Sequence, residues 1–195
     1  MAGSGLQTVR GRLWGRRAVM GMLAAVAAAG IATAAAAAED VVLTPVDHPA
    51  LRREIARHRG TVVVLDCWST SCPPCVAEFP GLVRLAAAHR GEVVCLSVAL
   101  DYDGVGRVED TLPAVRDFLE QVGAGDVVNM IATEEADSMY RQLDLTGVPT
   151  VFIWRQDGTL AARFDDDFAA KSLGRPFTYA DVEQTVAGLL AAAGR

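Results

Sequence analysis

Apolar residues along this chain follow two periodicities, which together predict alternating strands and helices. Val62, Val63, Val64 and Leu65 are consecutive, so Thr61 to Trp68 reads as a strand buried on both faces. Glu92 to Leu100 (EVVCLSVAL) repeats that pattern. Between them a helix is predicted from about Pro73 to His89, with Phe79, Leu82, Val83, Leu85 and Ala86 on its buried stripe and Gly91 at its end. A strand, a helix and a strand of these lengths make a parallel crossover.

The remaining elements follow from spacing and punctuation. His48 to Arg59 places Leu51, Ile55 and Ala56 at helical spacing and closes on Gly60, while Glu39 to Pro45 reads as a linker or short edge strand. Asp101 to Asp110 is predicted loop, Thr111 to Val122 helix and Val127 to Ala132 an additional strand. Glu134 to Leu143 reads as a helix capped by Thr133. Thr150 to Trp154 and Thr159 to Phe164 flank Asp157-Gly158 and predict an antiparallel hairpin. Tyr179 to Ala193 reads as a closing helix, with Val182, Val186, Leu189 and Leu190 on one face.

The N-terminus changes the reading of composition. Residues 1–13 carry no acid, Arg16 and Arg17 follow as a pair, and Ala18 to Ala38 is an unbroken run of small or apolar residues. This is the layout of an export signal, similar to a twin-arginine signal, over residues 1–38, with one domain at 39–195. The alternative is an uncleaved anchor giving membrane association through the same segment. The segment inflates the 51% hydrophobic content, and with its four arginines removed fourteen basic residues face 24 acidic ones, a formal charge near −10. That balance excludes nucleic acid as a partner.

The candidate chemistry lies where the first buried strand ends. Ser69, Thr70 and Ser71 make a polar turn, and Cys72-Pro73-Pro74-Cys75 follows. Proline is allowed in the first turn of a helix, so Cys72 sits at a helix N-terminus, where unpaired N–H groups favour the thiolate. Cys72 and Cys75 are then a redox pair, Cys72 attacking and Cys75 resolving. A structural disulfide and half of a metal site are the bland alternatives, but Cys67, Cys95, His48, His58 and His89 are isolated from one another. Asp66, in an apolar strand, should have a raised pKa. Glu78 lies one turn after Cys75 and can share its face. Strand alternation puts Cys67 and Cys95 on opposite faces of the sheet, as two buried free thiols. Asp165, Asp166 and Asp167 read as a solvated turn, without calcium-loop spacing.

Asp66, Trp68, Cys72, Cys75 and Pro80 together resemble the thioredoxin superfamily, and CxxCxxExP (Cys72, Cys75, Glu78, Pro80) resembles its TlpA/ResA branch of extracytoplasmic thiol-disulfide proteins. Cys67 stands where that family usually has Phe, and Ser71 where it usually has Trp. The resemblance implies an α/β, thioredoxin-like three-layer fold: a central mixed sheet, helices on both faces and an insertion between the two halves. It implies that Asp66 accepts the proton of Cys75, that Glu78 tunes the thiols, and that Pro149 of Gly147-Val148-Pro149-Thr150 is a cis-proline facing the pair. Val148, Pro149 and Trp68 would then form the substrate-binding surface, with a trans turn proline as the alternative for Pro149. The implied activity is exported thiol-disulfide oxidoreduction on protein thiol or disulfide substrates, as a reductant of the cytochrome c maturation type. It would need a membrane electron donor and no cofactor or metal beyond its own disulfide. The alternatives are a peroxiredoxin-like peroxidase, for which Ser69 fits but no preceding proline does, a copper or zinc metallochaperone, and a redox-inactive binding domain.

Overall fold

β2 (Val62–Trp68) is buried at all seven positions because it is central in a six-stranded sheet. The computed structural model describes residues 40–193, and the predicted export segment over residues 1–38 lies outside them. Around β2 the chain runs β1 (Leu43–Val46), α1 (His48–Arg57), then α2 (Pro73–Ala88), β3 (Val93–Ala99), α3 (Leu112–Gln121), β4 (Val128–Ala132) and α4 (Ala136–Gln142). It finishes with β5 (Thr150–Trp154), β6 (Leu160–Phe164), α5 (Asp166–Phe168) and α6 (Tyr179–Ala193). The strand order is β1-β4-β3-β2-β5-β6. The first four strands in that order are parallel, and the β5–β6 hairpin is added antiparallel to β2.

Alternation along the strands divides the core into two layers. Val64 and Trp68 of β2 join Cys95 of β3, Cys75, Phe79 and Leu82 of α2, and Val182 and Val186 of α6 in one cluster. Val63, Leu65 and Cys67 face the other way, toward Leu51 of α1 and Met139 of α4. The mixed sheet with helices on both faces is therefore as expected. The additional strand is present too: β4 lies between β1 and β3, and the stretch carrying α3 and β4 is inserted between the crossover and the hairpin.

Three local expectations are corrected. Thr133 does not cap a helix at Glu134, because its N–H and hydroxyl both donate to the Val46 carbonyl, at 2.9 and 3.2 Å, and extend the β1–β4 edge. α4 accordingly starts two residues late, at Ala136. A short 3-10 turn at Val108–Asp110 occupies the end of the predicted loop. Asp165 is buried and not part of a solvated turn: one carboxyl oxygen accepts from the Phe168 N–H at 2.8 Å and caps α5, and the other accepts from Arg163 Nε at 2.6 Å.

Candidate active site

The site is assembled where β2 runs into α2. Pro73 and Pro74 occupy the first turn of α2, where the missing N–H groups would have had no intrahelical partner, and Cys72 is the N-cap. The Cys75 N–H donates to Cys72 Sγ at 3.2 Å, and the Val76 N–H donates to the Cys72 carbonyl at 3.1 Å. One helix-start donor, the Cys75 N–H, is thus aimed at the sulfur that would bear negative charge. Cys72 and Cys75 are joined in a disulfide, with Cα atoms 5.2 Å apart. Cys72 is 9% exposed and Cys75 1% exposed, so a reagent from solvent meets Cys72 first.

Cys72 borders a cleft of about 480 Å³ shared with Ser69, Thr70, Asp101 and Val148. The Val148 carbonyl oxygen lies 3.4 Å from Cys72 Sγ, and the Val148–Pro149 peptide is cis, as expected. Asp101 lines the same cleft. One of its carboxyl oxygens accepts from the Ser69 hydroxyl at 3.2 Å, from the Thr70 N–H at 2.9 Å and from the Thr70 hydroxyl. It therefore holds the turn that delivers Cys72. Sequence spacing left Asp101 in a loop, 31 residues from the Thr70 that it binds, and no local pattern marks it.

Asp66 is on the face of β2 that carries Val64 and Trp68, the face turned toward α2. Burial pushes its carboxyl up to about 7, and a hydrogen bond from Tyr179 limits the rise. The Tyr179 hydroxyl lies 2.5 Å from Asp66 Oδ2, while Oδ1 is buried without a hydrogen-bond partner among the described residues. Tyr179 lies 113 residues away in the chain, where the sequence pattern marks it only as the start of the last helix. A hydroxyl-bearing aromatic at the head of an apolar helix was its only signal.

Glu78 is half-buried on α2, and its Oε2 accepts from the Tyr179 N–H at 3.0 Å. It is tied to the start of α6. Trp68 requires a correction: it does not line a substrate surface. It is fully buried, with its ring 4.8 Å from that of Phe79 and 4.9 Å from that of Phe118, because its position in β2 points it between α2 and α3. Cys67 and Cys95 are both free and buried, one in each core layer. Burial and the nearby Asp66 push the Cys95 thiol up to about 12 and that of Cys67 higher still. Among the described residues no group of three His, Cys, Asp or Glu side chains could hold a metal ion, and no helix is long and apolar enough to cross a membrane.

Solved structures give this arrangement a context. A secreted Mycobacterium tuberculosis disulfide oxidoreductase, described as homologous to Escherichia coli DsbE, superposes with a TM-score of 0.52 at 22% identity, over 69% of this chain and 86% of that one. A thiol:disulfide interchange protein of the thioredoxin family from Chlorobium tepidum gives 0.51 at 20% identity, over 69% and 83%. The exposed lipoprotein thioredoxin Etrx1 of Streptococcus pneumoniae gives 0.51 at 14% identity, over 69% and 90%. No protein-family model matches the sequence, and no curated protein does. The structural matches establish that the fold is thioredoxin-like.

Proposed function

We propose that this thioredoxin-like protein is an exported thiol-disulfide oxidoreductase that exchanges its Cys72–Cys75 disulfide with protein thiols and disulfides. The observation that carries this reading is a disulfide at a helix N-terminus with one sulfur reachable and the other buried. In the reducing direction the Cys72 thiolate attacks a substrate disulfide, forming the Cys72–substrate bond and releasing one substrate thiolate. Cys75 then gives up its proton and attacks Cys72 Sγ. The mixed disulfide breaks, the second substrate sulfur leaves reduced, and the pair is left oxidised.

Each part of the site suits one of these steps. The Cys75 N–H and the first turn of α2 stabilise charge on Cys72. Val148 is half-buried with its carbonyl beside Cys72, and its backbone would offer an extended peptide its pairing groups. Asp66, with its carboxyl near 7, can take up the Cys75 proton at neutral pH. Glu78 acts on the pair through α6 in this reading, since its carboxylate is bonded there.

Export rests on the N-terminal charge and alanine pattern, and the M. tuberculosis protein of the same fold is described as secreted. We assign the protein the reducing role of the cytochrome c maturation type, fed by a membrane electron donor. The test is the reduction potential of Cys72–Cys75, by equilibration with dithiothreitol or glutathione buffers. A value near or below about −270 mV supports the reductant; one near −120 mV would make the protein a disulfide donor. A pair that does not exchange at all would end the enzymatic reading.

A further inference from the structure

The redox reading leaves Tyr179 unused, yet Asp66, Glu78 and Gly81 all meet on it. Its hydroxyl meets Asp66 Oδ2 at 2.5 Å, and its N–H donates to Glu78 of α2 at 3.0 Å. Its Cβ rests on Gly81 of the same helix so closely that a Cβ added at Gly81 would stand 2.2 Å from it. The active-site helix therefore grips Tyr179 at two points one turn apart, and Tyr179 in turn grips the buried Asp66 carboxyl on the β2 face turned toward that helix. Both Tyr179 and Asp66 are buried, so neither can trade this bond for one to bulk water.

The bond divides the two oxygens of Asp66. Oδ2 is occupied, whereas Oδ1 is buried and unpartnered among the described residues. A buried carboxyl oxygen left in that state costs free energy unless it is used. The other titratable groups that act on or with the carboxyl are Cys67 beside it on β2, Cys95 on β3 and Tyr179 itself; Glu78 of α2 bonds the Tyr179 N–H, and Arg163 of β6 acts on Cys67 from the far layer. Among the described residues no cation pairs with Asp66, so the Tyr179 hydroxyl is its one stabilising donor.

We propose that Tyr179 is a positioning residue for thiol-disulfide exchange: by holding Oδ2 of the ionised Asp66 it presents Oδ1 as the oxygen that accepts the Cys75 proton. The inference rests on the oxidoreductase reading. In the step concerned, the S–H bond of Cys75 breaks and its proton passes to Asp66 Oδ1. The Cys75 electron pair forms the bond to Cys72 Sγ, and the departing thiolate takes the electrons of the mixed disulfide. Glu78 and Gly81 enter as the parts of α2 that keep Tyr179 in reach.

The test uses the full-chain protein, reduced and then mixed with 5,5′-dithiobis(2-nitrobenzoate). The first thionitrobenzoate released reports attack by Cys72, and the second, slower release reports resolution by Cys75. For the unaltered protein the second phase should rise with pH with a midpoint near 7. In Tyr179→Phe, which removes one hydroxyl and keeps the ring on Gly81, the midpoint should move up by about one pH unit and the rate at pH 7 should fall about fivefold. Replacing the tyrosines biosynthetically with difluorotyrosine, a stronger donor, should move the midpoint down, which tests the same bond should the Phe variant not fold. A second phase that changes in amplitude or rate at every pH with an unmoved midpoint would overturn the assignment, because packing alone would act that way. A reduced protein that releases no thionitrobenzoate would overturn the redox reading, and the assignment with it.

Discussion

Replacing Asp66 with Asn should change the way stability depends on pH, by an amount that follows from the burial of the carboxyl. In the folded protein the group titrates near 7, against 3.8 for an ordinary aspartate. The folded state therefore keeps a proton that the unfolded chain releases across that interval. This contribution to stability is fully present below about pH 4 and is lost as pH rises through 7. A difference of about three pH units corresponds to roughly 4 kcal/mol. Asn cannot ionise, so Asp66→Asn removes the whole pH-dependent part and adds a constant offset of about 1–3 kcal/mol for the unmatched amide.

The assay is denaturant unfolding of the oxidised protein and the variant from pH 4 to 9, with the difference in unfolding free energy plotted against pH. Taking the difference cancels every other titrating group. Stability of the variant relative to the parent should climb by roughly 4 kcal/mol between about pH 4 and 7 and level off above pH 8. At the upper end the variant should equal or exceed the parent, as expected where a functional group is held in a destabilising position. A difference curve that is flat, or that falls with pH, would refute the claim that Asp66 is an acid held protonated by burial.

Two further outcomes follow from the same geometry. Alkylation at pH 8 should leave the native oxidised protein unmodified, since Cys67 and Cys95 are buried with raised pKa values, and after mild reduction Cys72 alone should react; mass spectrometry reads both results, and early labelling of Cys95 would contradict its burial. Asp101→Ala should cost about 1–3 kcal/mol in unfolding experiments and lower kcat/KM, because the turn before Cys72 loses its shared acceptor; unchanged values for both would show that the turn holds itself.

Much of the fold can be read locally because its central elements obey simple periodicities. The apolar run at Val62 to Leu65 can be satisfied only where both faces of a strand are covered, and the structure puts it at the middle of the sheet. The two prolines after Cys72 announce the start of a helix, and Asp157-Gly158 announces a hairpin, with Gly158 at a φ of +84°. Thr133 shows where such reading stops. Its type and the acids after it fit a cap, but a strand edge offered its donors a better acceptor in the Val46 carbonyl, 87 residues away. Asp165 was misjudged for the same reason, since only the folded chain brings Arg163 and the start of α5 to either side of it.

At the site, the pairing of Cys72 and Cys75 at a helix start was determined by the sequence alone, because the disulfide, its helix and its cap all lie within a few residues and follow from local backbone rules. The raised pKa of Asp66 was also foreseeable, from an acid embedded in an apolar strand. What only the tertiary structure decided was the company these residues keep. Tyr179 reaches Asp66, Asp101 reaches the turn before Cys72, and Trp68 turns inward to Phe79 and Phe118. Each of these depends on strand register and helix placement, quantities set by the packing of the whole core and carried by no single stretch of the chain.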